Sequence, residues 1–179
     1  MTLPKKLDTR RSHRLIQFFL ERSKGYSKEN RDLSIYWSTS HMTTTAQIMR
    51  LLAVKRNLDP EICAISGAIH DIATMESGKT ENHAERSLDF ISLLIKEYNE
   101  SSFVNKDSLK ITEDEIILLE SIIPFHSDKN VISDNLYIET LKDADAIDRY
   151  LQGVETKDSE MERLVAVFEE LGSSIMFED

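Results

Sequence analysis

Asp59-Pro-Glu-Ile-Cys-Ala-Ile-Ser-Gly-Ala-Ile-His-Asp71 decides how this chain of 179 residues is read. Asp59 is a favoured helix N-cap, and Pro60 stands at the first helical position, where its missing N–H is no loss. Ile62, Ile65 and Ile69 then recur at helical spacing and mark a core stripe. Ser66, Gly67 and Ala68 keep the last turn narrow, so a neighbouring helix or a metal can come close. The helix delivers an imidazole and a carboxylate, His70 and Asp71, side by side at its inner end. Two imidazoles and two carboxylates form a divalent-metal site if the fold joins them, and His41 upstream and Asp145 downstream complete such a set.

Helical signals extend in both directions. A first helix is predicted from Asp8 to Ser23, with Leu15, Ile16, Phe19 and Leu20 on its apolar side and Gly25 as its stop. Residues 26–37, with Tyr36 and Trp37 near their end, are predicted as a loop. Tyr36 and Trp37 are expected to pack rather than to stack on a base. From Ser40 to Asn57, His41, Thr45, Ile48 and Leu52 share one face, which turns His41 inward. Thr74 to Thr80 reads as a loop. Asn82 with Glu85 has capping-box form and opens a predicted helix reaching Glu100, with His83 in its first turn. Thr112 with Glu115 is a second such box. The helix it opens carries Ile116, Leu119, Ile122 and Ile123 until Pro124 interrupts it and leaves His126 at the kinked end, facing a cleft. A helix from Asp134 to Gln152, closed by Gly153, carries Asp143, Asp145 and Asp148, and a last one runs from Ser159 to Leu171.

Composition narrows the class. Five Gly, three Pro and a 40% hydrophobic content, with no Asn-Gly turn signal, favour one all-α domain over residues 1–179. The single cysteine, Cys63, excludes an internal disulfide framework and a Cys-rich zinc site, and it is expected to be a small buried residue in a reducing compartment. No apolar run approaches the roughly 20 residues that span a bilayer, and the charged N-terminus lacks a signal-peptide core, so a cytoplasmic protein is expected. Net charge is −10, yet residues 1–31 hold nine Lys or Arg against three acids. The acidic remainder excludes an extended nucleic-acid surface, and the basic start is expected to be a solvated amphipathic helix. Glu76 and Glu85 read as solvated acids.

On one helix Asp143 and Asp145 point about 200° apart, so only one of them can face a given metal. Asp145 lies toward Ile138 and Leu141, and Asp148 falls one turn further on the same side. Periodicity alone does not choose among the three.

In order, His41, His70-Asp71, His83, His126 and the run Lys142-Asp-Ala-Asp-Ala-Ile-Asp148 resemble the HD superfamily of metal-dependent phosphohydrolases, over roughly residues 35–153. The resemblance implies a helical bundle with a metal site formed by His41, His70, Asp71 and Asp145, the last because relatives keep an Ala-Asp-x-Leu/Ile core. His70 and Asp71 are then the catalytic pair. His83 and His126 match positions that hold a second metal or contact phosphate. The cofactor implied is one or two divalent ions (Fe, Mn, Ni, Co, Zn or Mg), and the partner a phosphorylated, nucleotide-like small molecule, with assembly into a homo-oligomer open. Two further readings are a degenerate HD domain that binds nucleotide or metal and regulates a partner, and a di-iron oxygenase. The chain departs from its relatives at two cations. Ile72-Ala73-Thr74 follows the His-Asp pair where many relatives have Ile-Gly-Lys, and Thr44 stands near a usual arginine. Lys79, Arg10, Arg11, Arg14 and Arg31 are the candidate replacements.

Overall fold

Every residue from Glu61 to Ile69 is buried, so the helix read from the sequence as a core element is the centre of the molecule. The computed structural model describes residues 6–172. Its helices are α1 (Arg10–Ser23), α2 (Ile35–Arg56), α3 (Pro60–Ile69), α4 (Ile72–Ser77), α5 (His83–Arg86), α6 (Leu88–Glu100), α7 (Glu113–Ile122), α8 (Leu136–Leu151) and α9 (Asp158–Glu170), with single 3-10 turns at Asp107–Leu109 and Ile123–Phe125. No strand occurs among the described residues, and the all-α bundle expected from composition is what the chain forms.

The Asp59 carboxylate caps α3 by accepting the Glu61 and Ile62 amides, as the sequence predicts. Helix α3 packs on α1, α2, α7 and α8. Its approach to α2 is closest at Gly67, where an added Cβ would lie 2.9 Å from the Ala46 Cα and 3.1 Å from the Met49 Cγ. The Thr112–Glu115 capping box opens α7. Pro124 ends α7 at Ile122 and leaves one 3-10 turn before His126.

Four local expectations are corrected. Helix α2 begins at Ile35 rather than Ser40, because the Ser34 hydroxyl caps it by accepting the Trp37 amide. Residues 74–77, expected as the start of a loop, belong to helix α4. Asp71 breaks the axis after α3, and Gly78 at φ +75° closes the new turn, with the Arg31 guanidinium donating to the Thr74 and Met75 carbonyls. Asn82 does not cap: it sits at φ +47° without a side-chain bond, and the predicted helix to Glu100 is divided at Ser87. Leu20 is 37% exposed, unlike the buried Leu15 and Phe19.

The basic start of the chain is only partly solvated: Lys6, Arg10, Lys24 and Lys28 are exposed, whereas Arg11, Arg14 and Arg22 turn toward the body. Arg11 meets Glu61 at 3.1 Å and Glu115 at 2.7 Å, and Glu61, itself buried, also accepts the Arg11 and Ser12 amides. Arg22 pairs with Glu76 at 3.0 Å, and the Tyr26 hydroxyl donates to the same carboxylate, so Glu76 is a structural acid and not a solvated one. Glu85 is exposed, as expected.

Gly67→Ala tests the α2–α3 contact. Alanine gains about 1 kcal/mol of helix propensity, but overpacking against backbone costs about 1–3 kcal/mol. A net loss of up to about 2 kcal/mol is expected by denaturant unfolding.

Candidate metal centre

Four of the five histidines come together. His41 is in the second turn of α2, His70 follows the last residue of α3, His83 opens α5, and His126 follows the 3-10 turn created by Pro124. Asp71 stands between α3 and α4, and Asp145 faces inward from the middle of α8. His41, His70, Asp71, His126 and Asp145 are all at most 7% exposed, and His83 is half-buried.

Each imidazole is held by its Nδ1. That of His70 donates to the Gly67 carbonyl at 2.8 Å, that of His83 to Thr80 at 2.8 Å, and that of His126 to Ile123 at 2.7 Å. Because a carbonyl only accepts, Nδ1 carries the proton and Nε2 of the neutral ring carries a lone pair. His41 Nδ1 donates instead to Asp148, 2.5 Å away, and Trp37 stacks on the same ring at 4.8 Å. The Nε2 atoms of His41 and His70 lie 3.1 Å apart, and so do those of His83 and His126. In the His83–His126 pair both Nε2 atoms carry lone pairs, which repel at that distance unless a cation stands between them.

Asp71 lies between the two pairs. Its Oδ2 is 3.7 Å from His41 Nε2, and its Oδ1 is 3.1 Å from His83 Nε2 and 3.4 Å from His126 Nε2. Oδ1 is buried yet makes no hydrogen bond of good geometry, an arrangement that costs free energy unless a cation compensates. Two donor sets follow, each able to hold a metal ion: His41, His70 and Asp71, and Asp71, His83 and His126. Asp145 Oδ1 adds to the first set, 3.2 Å from His41 Nε2 and 4.0 Å from His70 Nε2.

The electrostatics suit cation capture. Burial works to raise the Asp71 carboxyl, but His70, His126 and His83 hold it well below the usual carboxylate range. Burial is likewise overruled at Asp145, by Lys129 and His41. Burial, with the neighbouring His41 and His126, pushes His70 down to about 4 against the pull of Asp71, which leaves a neutral donor. At His41 burial is outweighed by hydrogen bonds to Asp145 and Asp148, and the ring is pushed up to about 10.

The two faces of α8 separate its aspartates as periodicity requires. Asp143 points away from the centre and pairs with Arg56 at 2.7 Å and Arg163 at 2.6 Å. Asp148 orients His41 and accepts the Thr44 hydroxyl. The expected replacement cations do not line the site cavity: Lys79 pairs with Asp32, Arg10 with Asp8, Arg11 with two glutamates, and Arg14 and Arg31 donate to carbonyls. The cations that do are Lys129, Arg149 and Lys157, around a cavity of about 190 Å³. Sequence reading missed all three. Lys129, in the loop between His126 and α8, is buried with Nζ on the Asp145 carboxylate and the His126 carbonyl, and nothing local distinguishes it from a solvated lysine.

The HD domain family model matches residues 39–150, and the chain belongs to that family. No curated protein and no solved structure matches it.

Asp145→Ala should lose metal, whereas Asp143→Ala should keep it while losing up to about 3 kcal/mol of stability, since Arg56 and Arg163 each lose one carboxylate partner and keep only Glu170 and Glu139. Asp148→Ala should fall between, weakening metal about 10–100-fold through a misaligned His41. Elemental analysis and thermal melts read all three.

A proton and a cation compete for His41 Nε2. Metal uptake at neutral pH should therefore expel that proton, and affinity should rise with pH, by up to about tenfold per unit, until His41 titrates near 10. Titration calorimetry in buffers of different ionisation enthalpy measures the release.

Proposed function

We propose that this chain is a cytoplasmic metal-dependent phosphohydrolase that cleaves a phosphate ester or anhydride of a nucleotide-like small molecule. The observation that carries the reading is the convergence of four imidazole Nε2 atoms on one buried carboxylate, Asp71, that lacks a hydrogen bond on Oδ1. His41, His70, Asp71 and Asp145 would hold one divalent ion, and Asp71, His83 and His126 a second. Such an ion lowers the pKa of a bound water and polarises a phosphoryl oxygen.

The chain's own groups support the rest. Asp71 stays ionised at neutral pH and can share its carboxylate between the two sets or accept the proton of an attacking water. His70, neutral and locked by the Gly67 carbonyl, keeps a lone pair directed at the same point. Anchored Nδ1 atoms fix all four rings before substrate arrives, so little reorganisation is needed. Lys129, Arg149 and Lys157 bring positive charge to the cavity wall of an acidic protein, which suits an anionic substrate. Trp37 and Leu33 also line the cavity and offer apolar surface to the remainder of the molecule.

Purification without chelators, metal analysis and phosphate release over a panel of nucleoside mono-, di- and triphosphates test the proposal. Release that disappears in His70→Ala and Asp71→Asn is expected. Metal-dependent oxygen uptake without phosphate release would support the di-iron oxygenase instead, and nucleotide binding without turnover the regulatory domain.

A further inference from the structure

Two polar groups of the site cavity stand outside both donor sets. Thr74, in α4, lines the cavity and is 1% exposed, and its hydroxyl has no hydrogen-bond partner. A helical threonine usually donates to the carbonyl four residues back, here that of His70. That carbonyl already accepts the Ser87 hydroxyl at 3.0 Å. Burying a hydroxyl unpaired costs about 1–3 kcal/mol, so the packing around α4 maintains a donor that nothing in the protein uses.

Lys129 lines the same cavity. Its ammonium has three N–H donors, and two acceptors are present, the Asp145 carboxylate and the His126 carbonyl. One donor is left over at the cavity wall. The lysine is held at its other end too, because its backbone carbonyl accepts Arg163 at 3.3 Å, and Arg163 is fixed by Asp143 and Glu139. Asp145 on the inner face of α8 thus grips the Lys129 side chain, while Asp143 on the outer face grips its backbone through Arg163. A side chain that costly to order is pre-positioned rather than mobile.

We propose that the Thr74 hydroxyl and the Lys129 ammonium form the phosphoryl-oxygen cradle of this site, both donating to substrate oxygens in the cavity they line. This rests on the phosphohydrolase reading. The positive charge comes from the loop after His126, and the position three residues after Asp71 contributes a neutral donor. No group transfer is assigned to either residue; both bind and orient.

The test is titration calorimetry of inorganic phosphate into manganese-loaded protein, with metal content and melting temperature measured on the same samples. Thr74→Val removes an unpaired hydroxyl, so it should melt no lower than wild type and keep its metal, while phosphate dissociation rises about tenfold, the worth of one hydrogen bond to a charged group. Lys129→Met should weaken phosphate at least as much, with Lys129→Arg recovering part of the loss. Wild-type phosphate binding that neither Thr74→Val nor Lys129→Met changes would overturn the cradle and leave the hydrolase reading standing. Loss of metal in both variants would also overturn it, assigning the two residues to the metal centre. Manganese-loaded wild type that neither binds phosphate nor releases it from nucleotides would overturn the hydrolase reading and the cradle with it.

Discussion

Taking the Asp71 carboxylate out of water costs several kcal/mol unless opposite charge or hydrogen bonds replace the lost hydration. It is 6% exposed, and the groups that meet it are imidazole Nε2 atoms whose other nitrogens are already committed. The helices around it supply those nitrogens from four separate stretches of chain. Gly67 lets α2 come close enough to bring His41 to His70, and the axis break between α3 and α4 puts Asp71 beside both. Division of the following helix at Ser87 leaves α5 as a short turn packed against the 3-10 turn before His126, which joins the second histidine pair.

Helix α8 couples this centre to the periphery. Asp145 and Asp143 leave it in opposing directions, one toward the imidazoles and one toward Arg56 and Arg163. Arg56 also reaches Glu170 at 2.7 Å, so α2, α8 and α9 are tied by one ion-pair network on the outer face. A buried network of this kind adds little net stability, but removing one member exposes the cost of burying the others. What it supplies is a fixed direction for α8, on which the position of Asp145 depends.

The charge asymmetry of the chain has a structural outcome as well. Arg11, Arg22 and Arg14 near the start are spent on acids and carbonyls of the body, at Glu61, Glu115, Glu76 and Phe103. The cations that reach the cavity come instead from Lys129, Arg149 and Lys157, well inside the acidic remainder. An overall charge balance therefore says little about the local field at this site.

Helix periodicity, the Asp59-Pro60 start, the Thr112–Glu115 box and the small residues before His70 were legible because each is a local signal whose physics acts within a turn or two of chain. The inward face of His41 and the opposed directions of Asp143 and Asp145 were legible for the same reason. Tertiary structure decided what local signals cannot carry: that Asn82 would adopt a left-handed conformation and not cap, that residues 74–77 would be helical with Arg31 donating to the Thr74 and Met75 carbonyls, and that Glu76 would be paired. It also decided that Lys129, rather than any residue of the basic N-terminal segment, would stand beside Asp145. A lysine in a polar loop carries no periodicity and no cap, and only the packing of α8 and α9 around that loop gives its ammonium a buried partner.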